Sequence, residues 1–224
     1  MSVLPIILGI GYIHYTSVEE YPLPYDPVIP VHLQEKVAMQ KLPTDKPKGV
    51  PIQLHRGGKA LSYKQTRKTI TTILKELPNL QVGDHFTDLI METMIVETNL
   101  GAASYDHAHN TYHNYGLGQF THRSARDTFN WCKKNHPDSH EVMMKYYDKR
   151  LSFLDNVSYN VPFSIALISQ YYLQRTNGKV NRTHLSTLEQ RSYVWDRVYN
   201  TALGSGSPDI YTSRVRTYYR KQSK

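Results

Sequence analysis

The sequence predicts a mainly helical domain preceded by an extended arm. Beyond Leu61, apolar residues recur at helical spacing in one segment after another. Most of these segments have a recognisable start or stop residue, and neither an internal repeat nor a series of alternating strands interrupts them. The length of 224 residues and the apolar content of 39% fit one medium-sized domain with a real core. We therefore expect a helical domain over residues 61–224, with a small hairpin within residues 98–120.

The N-terminal part, residues 1–60, has the composition of an extended arm. Residues 18–58 carry most of the prolines, which break helices and favour extended structure. The apolar run within residues 1–17 has no preceding Lys or Arg and is too short to span a bilayer. We expect this run to pack on a partner, with a membrane anchor as the less favoured alternative.

Helix punctuation begins directly after the arm. Ser62 can cap a helix at residues 63–77 that stops before Pro78. Asp84 can cap the next helix, residues 85–97, whose apolar residues lie near one face.

The second half of the domain continues in the same way. The predicted helices are residues 122–134, 139–154, 162–176, 185–203 and 209–221. Thr121 is expected to start the first of them, and Asp138 with Glu141 forms a capping-box pattern for the second. The pair Asn177-Gly178 is a C-terminal stop signal for the third.

The charge indicates an anionic partner. A net charge of +8 and a pI near 9.4 fit nucleic acid, an anionic membrane or the acidic polymers of a bacterial envelope. Residues 213–224 interleave aromatic and cationic side chains, as in some nucleic-acid-binding segments. A helix with one packed and one solvated basic face explains the same pattern, so we do not expect nucleic-acid binding.

Cys132 is the single cysteine, which excludes an intrachain disulfide, and we expect it in the core.

Glu97 is the candidate catalytic residue. It lies at the end of an apolar helix, where desolvation and the negative end of the helix dipole both raise the pKa of a carboxyl group. Such a group is partly protonated near neutral pH and can donate a proton to a leaving oxygen. Glu92, five residues earlier, falls on a different helix face. Taken alone, Glu97 also fits a solvated residue at a helix end.

Two later segments have the chemistry of a binding site. Gly116 and Gly118 allow the backbone to approach a ligand closely, and Gln119 offers an amide that can contact an acetamido group. Tyr199 and Asn200 precede a glycine-containing turn and the last predicted helix.

Taken in order, these segments resemble the lytic transglycosylases of the soluble type. In that family a Glu followed by Ser or Thr ends a core helix, a Gly-Leu-Met-Gln segment follows, and an Ala-Tyr-Asn-Ala-Gly segment leads to another helix. The resemblance covers roughly residues 84–220, with Gly118 in place of the usual Met and Thr201 in place of a small residue.

The resemblance implies a lysozyme-like α+β fold and cleavage of the β-1,4 bond between N-acetylmuramic acid and N-acetylglucosamine in peptidoglycan. Glu97 would be the acid and then the base, and the product would carry a 1,6-anhydro ring. The implied substrate-binding residues are Thr98, Gly116, Leu117, Gln119, Tyr199 and Asn200. No cofactor is expected. The location would be a phage virion or the bacterial periplasm, with the arm contacting other virion proteins.

Alternatives remain open at the sequence level. Asp106 could serve as a second carboxylate and make the enzyme a hydrolytic muramidase. His107, His109 and His113 around it have zinc-ligand chemistry, but their spacing is irregular and we expect no metal. The chain could also be a structural virion protein that retains a lysozyme-like fold, although Glu97 argues against a purely structural role.

Overall fold

The computed structural model describes residues 60–81, 83–101, 114–182, 184–199 and 208–222. Within them lie eight α-helices: α1 (Tyr63–Glu76), α2 (Asp84–Thr98), α3 (His122–Asn135), α4 (Pro137–Tyr146), α5 (Phe153–Tyr159), α6 (Val161–Arg175), α7 (Leu188–Val194) and α8 (Pro208–Gln222). A two-stranded antiparallel hairpin pairs β1 (Asn114–Tyr115) with β2 (Phe120–Thr121). The prediction of a mainly helical domain is confirmed, whereas the predicted arm lies outside the described residues apart from Ala60.

Helix α6 forms the centre of the core. Nearly all of its residues are buried, as expected of a helix that is apolar on every side. Helices α1, α3, α4 and α5 pack around it. Its first turn is capped by Asn160, whose side chain accepts a hydrogen bond from the Phe163 amide. It is followed by Asn177 and Gly178, both with positive φ, so the predicted stop signal is confirmed.

Most predicted helix starts are close to the observed ones. The Thr121 side chain caps α3 by accepting a hydrogen bond from the Ser124 amide, as predicted. Ser62 occupies the N-cap position of α1, but its side chain makes no capping hydrogen bond. Asp84 is the first residue of α2 and not its cap, because Gly83 takes the N-cap position.

The predicted helix at residues 139–154 is in fact two helices. Helix α4 starts at Pro137, whose fixed φ suits a first helical position, and His136 is its N-cap in place of the predicted Asp138. The chain leaves the helix after Tyr146, and the Asn156 side chain then bonds both the amide and the carbonyl of Asp148. These bonds stabilise a loop that a local helical pattern does not reveal.

The helix predicted at residues 185–203 is also shorter than expected. A capping box of Thr187 and Gln190 starts α7 at Leu188. The chain then widens into a π-helical segment, Trp195–Tyr199, which follows α7 directly. Single-turn π-helical segments are rare and are often found at functional sites.

A buried ion pair joins α2 to α7. Arg191 donates from Nε and Nη2 to the two carboxyl oxygens of Glu92, at 2.7 and 2.8 Å. The Tyr211 hydroxyl of α8 donates to the same carboxylate at 2.9 Å. Glu92 is only 1% exposed, so this network fixes α7 and α8 against α2 within the protein interior.

None of the helices in the described ranges has the length and apolar character needed to cross a membrane.

Candidate active site

Glu97 lies in the last turn of α2, where three other elements surround it. Trp195 of the π-helical segment donates its indole N–H to Glu97 Oε1 at 3.0 Å. Tyr171 and Tyr172 of α6, Tyr199 of the π-helical segment and Arg214 of α8 are close enough to interact electrostatically with the carboxyl group. The side chain is half-buried and therefore has both a protein wall and access to solvent.

The environment of Glu97 favours the protonated form. Burial raises the pKa of the carboxyl group from its usual 4.5 to about 7, although the Trp195 hydrogen bond and the positive charge of Arg214 both act in the opposite direction. At a pKa of about 7, acid and carboxylate are both well populated at neutral pH. This is the property required of a group that must donate a proton and later accept one.

The backbone directly after Glu97 is strained. Asn99 and Leu100 have φ of 50° and 57°, in the left-handed region that non-glycine residues seldom adopt, and Gly101 follows at 93°. Asn99 ends α2 through a bond from its amide to the Ile95 carbonyl. At the same helix end, Arg214 Nη1 donates to the Val96 carbonyl at 2.7 Å. These contacts hold the last turn of α2, and thus the backbone of Glu97, in one position.

Thr98 and Leu117 do not line a surface. Thr98 is fully buried, and its hydroxyl donates to the Met94 carbonyl while accepting from the Gly101 amide. Leu117 is also fully buried and belongs to the hydrophobic core. The geometry therefore does not support the predicted direct contact of these two side chains with substrate. Their place in the sequence pattern has a structural reason instead.

The hairpin turn at residues 116–119 depends on its glycine and its glutamine. Gly116 has φ of 69°, and a Cβ there would overlap the Val157 carbonyl oxygen. Gln119 has a left-handed φ of 49°, and its side-chain Nε2 donates to the Gly116 carbonyl at 2.9 Å. One N–H of the side-chain amide thus closes the turn.

Gly118 brings this turn against the π-helical segment. The Tyr199 hydroxyl donates to the Gly118 carbonyl at 2.6 Å. A Cβ at position 118 would overlap that hydroxyl oxygen and crowd the side chains of Phe120 and Ile168. The presence of glycine at position 118 therefore has a physical cause. It is what lets Tyr199 reach the turn.

Sequence reasoning missed two aromatic residues of the site, Trp195 and Tyr171. Trp195 is four residues before Tyr199, and this helical spacing to a predicted site residue was the available signal. Tyr171 is half-buried and makes edge contacts with Phe120 and Tyr199, at ring-centre distances of 5.4 and 5.1 Å. The Arg175 guanidinium lies 5.9 Å from the centre of the Tyr171 ring. Nothing in the local sequence distinguished this tyrosine from Tyr172, which is fully buried.

The remaining predicted residues are not part of this geometry. Asn200, Asp106 and the three loop histidines lie outside the described residues. In the ranges that are described, no group of three or more His, Cys, Asp or Glu side chains could hold a metal ion.

Comparisons with known proteins give no relative for this chain. No family model matches it, and no curated protein or solved structure matches it either. The functional assignment therefore depends on the site geometry and on the pattern of the sequence.

Proposed function

We propose that the chain is a peptidoglycan lytic transglycosylase with a lysozyme-like fold. The observation that carries this proposal is the environment of Glu97: a half-buried carboxyl group with a pKa of about 7, hydrogen-bonded to Trp195 and flanked by tyrosine rings. The order of the sequence motifs supports it, because Glu97, Gly118 and Tyr199 are far apart along the chain and yet belong to one site.

The proposed reaction needs one carboxyl group in two protonation states. Protonated Glu97 donates its proton to the glycosidic oxygen as the bond from that oxygen to the anomeric carbon of N-acetylmuramic acid breaks. The resulting carboxylate then removes the proton from the 6-hydroxyl of the same sugar, whose oxygen bonds to the anomeric carbon. The products are a new sugar hydroxyl end and a 1,6-anhydro end. No water is consumed, and Glu97 regains its proton.

Glycan binding in this proposal involves the aromatic wall beside Glu97. Tyrosine rings bind sugars well, since the apolar face of a pyranose packs on an aromatic surface while the hydroxyls remain hydrated. Tyr171 is held in place by Phe120 and Tyr199, so it loses little side-chain freedom on binding. The net charge of +8 suits the anionic polymers of a bacterial envelope. A phage virion or the bacterial envelope remains the proposed location.

The test is cleavage of purified peptidoglycan by the full chain, with Glu97→Gln as the inactive variant. Glutamine keeps the size of the side chain and can still accept the Trp195 hydrogen bond, but it has no proton to transfer. We expect a loss of about 10²-fold or more in the release of soluble fragments. Glu189→Gln is the matched control, because Glu189 is an exposed residue paired with Arg216 at the surface, and this variant should keep full activity.

Mass spectrometry of the released fragments decides between the two chemistries. Anhydro ends, lighter by one water than reducing ends, support the transglycosylase. If all the released fragments have reducing ends, the assignment changes from a lytic transglycosylase to a hydrolytic muramidase. Cleavage by Glu97→Gln at the rate of the unaltered protein, or no cleavage by the folded protein itself, would refute the assignment.

A further inference from the structure

Trp195 is placed so that it can control the geometry of the Glu97 carboxyl group. The indole is only 4% exposed and packs on the Tyr211 ring, with a distance of 5.3 Å between ring centres. Its N–H donates to Glu97 Oε1 at 3.0 Å, across 98 residues of sequence. Neither the packing nor the bond follows from the motif pattern that identified Glu97.

The bond distinguishes the two carboxyl oxygens. An indole N–H is only a donor, so it cannot accept a proton from the acid, and Oε1 remains its acceptor in both protonation states. Oε2 accepts no hydrogen bond from the described residues. We therefore place the acid proton on Oε2, which has no hydrogen-bond partner among the described residues.

We infer that Trp195 is a positioning residue, which fixes Glu97 Oε1 and leaves Oε2 as the oxygen that exchanges protons with the substrate. This inference rests on the proposed function, because it assigns the proton-transferring atom of that same reaction. It adds a residue that the sequence pattern does not contain.

The chemistry of the donor suits this role. Glu92, one turn and a half earlier on α2, is held by the charged guanidinium of Arg191 in a bidentate ion pair. Such a partner stabilises a carboxylate strongly and would oppose reprotonation. Indole is neutral at every accessible pH, so it orients the carboxyl group with a smaller preference for the ionised form. Two glutamates of one helix thus have two kinds of partner, one suited to a fixed ion pair and one to proton transfer.

Other groups facing Glu97 do not replace this contact. Tyr171, Tyr172 and Tyr199 are un-ionised at neutral pH, since burial raises the pKa of each hydroxyl. Arg214 acts on Glu97 through its charge, while its guanidinium donates to the Val96 carbonyl. Among the described residues, the indole N–H is the group that donates a hydrogen bond to Glu97.

The first experiment needs no substrate. The chain has two tryptophans, Trp131 and Trp195, and the emission of Trp131 would overlap that of Trp195. Trp131→Phe leaves Trp195 as the sole indole. We expect its fluorescence to change with pH around a midpoint of about 7, and we expect Glu97→Gln in the same background to abolish that change. A flat emission curve, or a transition that persists without Glu97, would overturn the contact.

The second experiment measures the pH profile of peptidoglycan cleavage. Trp195→Phe keeps an aromatic ring but removes the indole N–H donor. Because the hydrogen bond from this donor stabilises the ionised form of Glu97, its loss raises the pKa of the carboxyl group. We expect the alkaline limb of kcat/KM to move upward by about one pH unit, and kcat to fall about tenfold or more while KM changes little. Trp131→Phe is the matched control and should leave the profile unchanged.

The two experiments separate failure of the inference from failure of the proposed function. An unchanged profile and kcat in Trp195→Phe, with an active parent protein, would overturn the positioning role and leave the enzymatic assignment standing. An inactive parent protein would overturn the assignment together with the positioning role of Trp195 in catalysis. In that case the fluorescence titration still decides whether Trp195 contacts a titrating Glu97.

Discussion

Replacing Glu97 with glutamine tests the electrostatics of the site through folding stability, without any substrate. In the folded protein the pKa of Glu97 is about 7, against a usual value of 4.5. The folded state therefore binds a proton more tightly than the unfolded chain does between these two pH values. The stability associated with this group is fully present below pH 4.5 and is lost as the pH rises toward about 7.

The size of the effect follows from the difference in pKa. The interval from 4.5 to about 7 is about 2.5 pH units, and each unit is worth about 1.4 kcal/mol, which gives about 3–4 kcal/mol. Glutamine does not titrate. The free energy of unfolding of Glu97→Gln, minus that of the unaltered protein, should therefore rise by about 3–4 kcal/mol across this interval and stay constant above it.

Urea unfolding followed by circular dichroism measures this difference. Contributions from the other titrating groups, including the 11 histidines, cancel because they are present in both proteins. Glu189→Gln is the control, since an exposed surface pair contributes little and should produce no comparable trend. A difference that stays flat with pH would mean that Glu97 is solvated in the folded protein, and the argument for its acid role would fail.

Three further predictions concern stability and reactivity. Gly116→Ala should lower the free energy of unfolding by about 2 kcal/mol or more, because it combines a left-handed φ with overlap of the Val157 carbonyl, and thermal unfolding measures it. Arg191→Leu should cost about 3–5 kcal/mol by leaving the Glu92 carboxylate buried without its charged partner, measurable by urea unfolding. Burial raises the pKa of the Cys132 thiol to about 12, so a thiol reagent should label it only as fast as the protein opens, with full labelling in denaturant.

Local signals predicted the helices best. Thr121 and the Asn177-Gly178 pair act on their own neighbours, and their effects on α3 and α6 were visible in the sequence. The loop between α4 and α5 could not be predicted from the sequence, because it depends on the Asn156 side chain binding the backbone of Asp148 eight residues away. The helical spacing of apolar residues in the sequence continues through this loop, so the spacing does not indicate that the helix is interrupted.

Part of the candidate site could also be predicted from the sequence. Motif order identified Glu97, and the aromatic partner Tyr199 that lies near it, although 102 residues separate them in the chain. The same pattern assigned Thr98 to substrate contact, whereas its hydroxyl supports the strained end of α2. A residue type alone does not reveal whether a side chain faces a groove or the backbone behind it. The indole of Trp195 could be recognised only after α7 and α2 had been brought together.

The buried ion pair explains how these distant residues reach one place. A salt bridge in the interior is a weak source of stability, because desolvation of both charges offsets much of their attraction. Its geometric effect is stronger: the bidentate contact of Arg191 with Glu92 permits one alignment of α7 along α2. Trp195 follows α7 directly, one helical turn beyond Arg191, and Glu97 follows Glu92 along α2. The alignment that joins Arg191 to Glu92 therefore also sets the distance between the indole N–H of Trp195 and the carboxyl group of Glu97.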